Sequence, residues 1–112
     1  MTIEFLKKAK NILKTSNEIA EEDIEETFCS FARMKNCRSL KLILLNLRGF
    51  PDRTILCPAG RVLFIEFKKK GKKLTPTQKP WKRIIEGLDF QYHVCDEIGQ
   101  GEKLLMEFLK RD

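Results

Sequence analysis

The chain is predicted to be an α+β sandwich in which helices flank a small mixed sheet. Three observations carry that expectation. Apolar residues recur at helical spacing up to about residue 32 and then, from residue 40, form the dense short runs of strands. A Pro58-Ala59-Gly60 turn separates two such runs, as in a β-hairpin. The remainder alternates helix, strand and helix signals, so the order reads α-α-β-β-β-α-β-α. The 112 residues have room for one compact domain with a real core.

The elements follow in order. Residues 3–14 place Ile3, Leu6, Ile12 and Leu13 loosely at helical spacing among lysines. They lack the apolar centre and small-residue cleavage site of a signal peptide, so an amphipathic helix is predicted. A second helix is expected after Ser16 and Asn17, both good N-caps, with Ile24, Phe28, Phe31 and Ala32 forming its apolar stripe. Residues 40–47 read as a largely buried strand, and residues 53–57 and 61–68 as the two arms of the hairpin. Gly71 breaks the chain. Thr75-Pro76-Thr77-Gln78 then reads as a helix start, with Thr75 at the N-cap, Pro76 at the first position and Gln78 at N3. Pro80 is unusual there, because it removes a donor just inside the helix. A fourth strand at 90–95 follows Gly87, and a closing helix spans about 101–110.

Composition excludes several classes. No run approaches the ~20 apolar residues of a membrane span. Cys29, Cys37, Cys57 and Cys95 form no C-x-x-C pair and His93 is the single histidine, so a zinc site is not expected. The cysteines read as reduced and partly buried, as in a cytosolic protein. The formal charge is +6, and it is polarised. A run of Lys68, Lys69, Lys70, Lys72 and Lys73 continues to Lys79, Lys82 and Arg83, whereas the acids concentrate in residues 18–26. Such a patch suits a polyphosphate backbone, and it equally suits a solvated surface.

The third strand narrows the choice. Side chains alternate, so Val62, Phe64, Glu66 and Lys68 share one face and Leu63, Ile65 and Phe67 the other. Upstream, Pro51 fixes the backbone entering Asp52. Antiparallel pairing of the hairpin arms would bring Asp52 and Glu66 together. Two adjacent carboxylates are costly without a cation, and they are the ligands Mg²⁺ prefers. A divalent ion there could polarise a phosphate and activate water, with Lys68 stabilising charge or positioning the nucleophile. Glu21 and Glu25, one helical turn apart, flank Ile24, and one of them could lean towards the same point.

These residues carry a resemblance. Asp52 followed by Glu66-x-Lys68 resembles the PD-(D/E)xK nuclease superfamily, and the finer pattern is similar to its VRR-NUC family of phage, bacterial and DNA-repair nucleases. The matching pieces are Ala20-Glu21-Glu22-Asp23-Ile24-Glu25, Leu40-Lys41-Leu42, Gly49-Phe50-Pro51-Asp52-Arg53, Phe64-Ile65-Glu66-Phe67-Lys68 and Leu74-Thr75-Pro76-Thr77-Gln78, with residues 1–16 outside the match. The resemblance implies a helix, three antiparallel strands, a helix and a fourth strand. It also implies Asp52 and Glu66 as ligands of Mg²⁺ or Mn²⁺, helped by the Phe67 main-chain carbonyl, with Lys68 as the catalytic lysine. Gln78 would be the glutamine that follows the strand, though a capping role remains open to it. Glu21 would be the helix-borne glutamate, with Glu25 as second choice. Lys41 and Arg53 would contact DNA or support the site, while Lys69, Lys70, Lys72, Lys73 and Lys79 would reach phosphates.

The expectation is therefore a metal-dependent, structure-selective DNA endonuclease that acts in the cytoplasm of a bacterium or phage-infected cell. Stand-alone relatives imply a homodimer resolving four-way (Holliday) junctions in DNA repair, and Phe5, Leu6, Ile12 and Leu13 are the expected dimer surface. Flaps and nicks are alternative substrates. A non-catalytic nucleic-acid-binding module is the alternative class. Trp81 and Phe50 could stack on an unpaired base, but a helix-borne Trp81 fits a partly buried core position better.

Overall fold

A computed structural model describes residues 19–43 and 46–110. The helix expected at 3–14, its apolar surface and the Ser16-Asn17 cap lie outside these residues. The described chain runs through helix α1 (Glu21–Met34), strands β1 (Arg38–Leu40), β2 (Arg53–Cys57) and β3 (Arg61–Phe67), helix α2 (Lys79–Gly87), strand β4 (Gln91–Cys95) and helix α3 (Gln100–Lys110). The expected element order and the α+β class hold for these residues.

The strands form one sheet in the order β1-β2-β3-β4. The first two pairings are antiparallel and β3 pairs with β4 in parallel. Parallel neighbours need a crossover, and α2 supplies it. The β2–β3 hairpin closes through Pro58–Gly60, where Ala59 takes φ 65°. Its register sets Arg53 opposite Ile65 and Ile55 opposite Leu63.

The alternation in β3 sorts its side chains as expected. Leu63, Ile65 and Phe67 are fully buried against α1 and α3, in a core with Phe28, Ala32, Ile55 and Leu105. Phe28 lies against Phe67 with ring centroids 5.6 Å apart. At Gly101 an added Cβ would sit 2.7 Å from the Phe28 ring, so the start of α3 approaches α1 as closely as only glycine permits. Phe64 belongs to the opposite face, where it meets Phe50 and Phe90 edge-on, and Phe50 in turn meets Trp81. Aromatic pairs at these 5–6 Å separations add stabilisation beyond the area they bury. Trp81 is half-buried, as a helix-borne core position predicts.

Three boundaries differ from expectation. Helix α1 starts at Glu21 rather than after Asn17. Ala20 is extended and its carbonyl accepts from Asp23 and Ile24, while Glu21, Glu22 and Asp23 put negative charge on the positive end of the helix. The strand expected at 40–47 is instead the three-residue edge strand Arg38–Leu40, paired with Leu56, Ile55 and Thr54. Lys41, Leu42 and Ile43 leave the sheet and are exposed, not buried. Helix α2 begins at Lys79, later than Thr75. The capping hydrogen bonds at Thr75 do form, but Pro80 has no N–H with which to continue the ladder back to Pro76.

Candidate active site

Asp52 immediately precedes β2 and Glu66 is the penultimate residue of β3. Since Arg53 pairs with Ile65, the next step along the hairpin sets Asp52 across from Glu66. The two are laced together. The Asp52 main-chain N–H donates to Glu66 Oε1 at 3.2 Å, and the Phe67 N–H donates to Asp52 Oδ2 at 2.9 Å. Glu21 arrives from the first turn of α1. One carboxylate oxygen each from Glu21, Asp52 and Glu66 lies within 4.8 Å of the others.

Their electrostatics follow from that crowding. Glu66 is 2% exposed, and burial pushes its carboxyl up to about 8, with Asp52 adding to the rise and Lys68 opposing it. Glu21 is raised too, first by burial and then by Asp52, against the pull of Lys68. Three crowded carboxylates, all hard oxygen donors, fit a divalent cation such as Mg²⁺ or Mn²⁺. Lys68 is buried beside them, its N–H bound to the Cys95 carbonyl at 2.8 Å as the chain leaves β3.

Gln78 reaches the cluster from the other side. Its side-chain amide donates to Glu66 Oε2 at 2.9 Å, and its side-chain carbonyl accepts the Thr75 N–H at 3.0 Å. One side chain thus bonds both the Thr75 turn and Glu66.

The second helix glutamate is used differently. Glu25 is buried and accepts from Arg53 Nε at 2.6 Å, while Arg53 Nη1 approaches the Ser39 carbonyl at 3.5 Å. This places Glu25 outside the carboxylate cluster and makes Arg53 a brace between α1 and β1. Lys41, Lys69, Lys70, Lys72, Lys73 and Lys79 are all exposed, with Lys70 ion-paired to Glu97. Cys37, Cys57 and Cys95 are buried, and burial pushes the thiols of Cys57 and Cys95 up to about 12, with the neighbouring Cys37 adding to the rise at Cys57, so those two thiols stay protonated.

Sequence reasoning gave no role to Gly49 or to the Trp81 indole N–H, yet both hold the Asp52 loop. Gly49 adopts φ +83°, and a Cβ there would fall 2.2 Å from the Thr77 carbonyl oxygen. The indole of Trp81 donates to the Arg48 carbonyl at 2.9 Å, and its ring meets Phe50 edge-on at 5.2 Å. The loop carrying Asp52 is thus pressed onto the turn carrying Gln78. The sequence signal was a glycine ahead of Phe50-Pro51, visible but uninterpretable without the facing turn.

This fold and carboxylate cluster define a nuclease domain, and comparison with known proteins agrees. The chain belongs to the VRR-NUC domain family, whose profile matches residues 8–97. It is 37% identical over 78 residues to a protein described as "Putative nuclease p44" of Acyrthosiphon pisum secondary endosymbiont phage 1, covering 70% of this chain and 84% of that one. A solved structure titled "VRR_NUC domain" superposes with a TM-score of 0.72 at 20% identity, over 79% of this chain and 96% of that chain.

Proposed function

We propose that the protein is a Mg²⁺- or Mn²⁺-dependent DNA endonuclease that hydrolyses phosphodiester bonds in branched DNA. The observation that carries this reading is the convergence of Glu21, Asp52 and Glu66 within 4.8 Å, with the buried Lys68 alongside.

Asp52, Glu66 and Glu21 would hold the cation, with the Phe67 main-chain carbonyl as a further oxygen donor. When bound, the ion supplies a Lewis acid for the phosphate and lowers the pKa of a coordinated water. The protein's own groups do the rest. Gln78 fixes the orientation of Glu66 by its hydrogen bond, and the Phe67 N–H does the same for Asp52. Lys68 places a positive charge where the phosphate gains negative charge as water attacks phosphorus and the sugar oxygen departs. Lys69, Lys72, Lys73 and Lys79, exposed beyond the end of β3, neutralise neighbouring phosphates.

A homodimer acting on four-way (Holliday) junctions is the specific form proposed, because a two-fold dimer presents two equal sites to a two-fold substrate. DNA repair, or phage DNA processing in the cytoplasm of an infected bacterium, is its natural setting, and the similarity to a phage protein supports the latter.

The deciding experiment incubates labelled four-way junction, flap, nicked and plain duplex DNA with the protein in Mg²⁺, Mn²⁺ or EDTA, beside Lys68→Ala. Expected are metal-dependent cutting, preference for the junction, and a rate loss on the order of 10²–10³-fold in the variant. Binding without cutting, the same in both proteins, would replace this reading with a binding module. Preference for flaps or nicks would replace the junction. Light scattering that shows a monomer with junction DNA present would remove the dimer.

A further inference from the structure

Among the described residues two buried side-chain oxygens have no hydrogen-bond partner, Thr54 Oγ1 and the Tyr92 hydroxyl. The two residues are 8% and 4% exposed, so bulk solvent does not satisfy them either. A buried hydroxyl that gives up its hydration for nothing is uncommon and needs a physical reason. Their positions supply one. In the sheet register Thr54 of β2 and Tyr92 of β4 stand on either side of Phe64 in β3. Glu66 lies two residues further along β3, so alternation puts its side chain on the same face. With strands ~4.8 Å apart and a rise of ~3.3 Å per residue, both are diagonal neighbours of Glu66, about 8 Å away between Cα atoms. The two orphaned hydroxyls therefore flank the most buried carboxylate of the site, one from each adjoining strand.

Electrostatics tie Tyr92 to the same carboxylate. Burial does most to raise the pKa of its hydroxyl, and the charges that add to the rise are Glu66, then Asp52, and last Glu86 of α2. Glu66 in turn has acceptor capacity to spare. Its Oε1 accepts from the Asp52 N–H and its Oε2 from Gln78, which fills two of the about four acceptor positions of a carboxylate. A cation would take a third, and one is left.

We propose that Tyr92 and Thr54 are positioning residues for the metal site, whose hydroxyls hold a buried water that donates to the remaining lone pair of Glu66. The inference rests on the nuclease reading above and deepens it by naming what fixes Glu66 from the sheet. Water suits the gap, because neither hydroxyl bonds Glu66 directly and a buried water takes ~2–4 polar partners, here the two hydroxyls and the carboxylate. With the Asp52 N–H, Gln78 and this water each on a separate lone pair, the carboxylate is held against rotation. The lone pair that remains is the one turned to the cation.

The test measures Mn²⁺ binding to the full chain without DNA, from loss of the free-ion EPR signal, in wild type, Tyr92→Phe and Thr54→Val. Each variant removes a hydroxyl at nearly constant shape. Expected is an affinity about tenfold weaker in Tyr92→Phe, and weaker also in Thr54→Val. Saturating Mn²⁺ should then recover most of the lost cleavage rate, with the KM for DNA unchanged. A hydroxyl without a partner would behave differently. Its removal would leave Mn²⁺ affinity at the wild-type value and raise the melting temperature in EDTA, and that result would overturn the proposal. Tyr92 is the single tyrosine, so labelling with 3-fluorotyrosine gives one ¹⁹F resonance and keeps the idea testable where Tyr92→Phe fails to fold. That resonance should move when wild type takes up Mg²⁺. In EDTA it should also differ in Thr54→Val, since Phe64 stands between the two residues and the shared water joins them. Absence of either shift would overturn the shared water. A wild type that takes up no Mn²⁺ would remove the nuclease reading as well, whereas variants that match a binding wild type overturn this inference alone.

Discussion

Gln78 donates to Glu66 Oε2 at 2.9 Å while its own side-chain carbonyl accepts the Thr75 N–H at 3.0 Å. A single amide therefore links the turn that leads into α2 to the most buried carboxylate of the site. The pairing separates two kinds of loss. Thr75→Ala removes the cap and should cost about 1 kcal/mol of stability with cleavage retained. Gln78→Ala removes both contacts and should lower the cleavage rate about tenfold on top of a similar loss of stability. Urea unfolding and single-turnover cleavage on both variants check this, and equal cleavage by the two would contradict it.

The Asp52 loop is set by Gly49. Gly49→Ala needs an unfavourable φ and a Cβ only 2.2 Å from the Thr77 oxygen, so a loss of about 2–4 kcal/mol is expected. Trp81→Phe keeps a ring against Phe50 but removes the hydrogen bond to the Arg48 carbonyl. It should cost about 1 kcal/mol and weaken Mn²⁺ binding several-fold, read as a smaller rise in melting temperature on adding the ion. A melting response to Mn²⁺ identical to wild type would show that the indole plays no part in placing Asp52.

Glu66 makes the metal-free protein sensitive to pH. Its carboxyl is raised in the folded state to about 8, above the ~4.3 of an unfolded chain. Its contribution is therefore fully present below about pH 4.3 and is lost as pH climbs through 8, because folding then holds a buried charge. In EDTA, stability should fall across that window by an amount on the order of a few kcal/mol. Glu66→Gln should flatten the fall, and Mn²⁺ should restore wild-type stability most at the alkaline end. Unfolding curves at pH 5, 6.5 and 8 with and without metal measure it; parallel profiles for wild type and Glu66→Gln would refute the assignment.

Arg53 and Glu25 form a mostly buried pair. Arg53→Gln should destabilise by about 2–3 kcal/mol, since it strands a buried carboxylate. Its salt slope for DNA binding should stay at the wild-type value, because the guanidinium is already committed. A reduced slope would restore Arg53 as a direct phosphate contact.

Most of the site could be read from local chemistry. The two-residue period of β3 alone places Glu66 and Lys68 on one face. The Pro58-Ala59-Gly60 turn implies the hairpin that returns β3 beside β2, and with it the meeting of Asp52 and Glu66. The stretch at 40–47 misled because apolar density marks a strand without saying whether a partner is available. Ile43 is as β-prone as Ile55, yet pairing ends at Leu40 with Thr54.

The sequence by itself determined the carboxylates, the lysine and the order of elements, because residue type and spacing act along the chain. Tertiary structure decided the choices between near-equivalent residues. Glu21 and Glu25 share a helix face, and only the seating of α1 on the sheet sends Glu21 to Asp52 and Glu25 to Arg53. The same holds for Gly49 against Thr77 and Trp81 against Arg48. Each depends on a contact between segments far apart in the chain, and such contacts form only when the sheet and its helices pack.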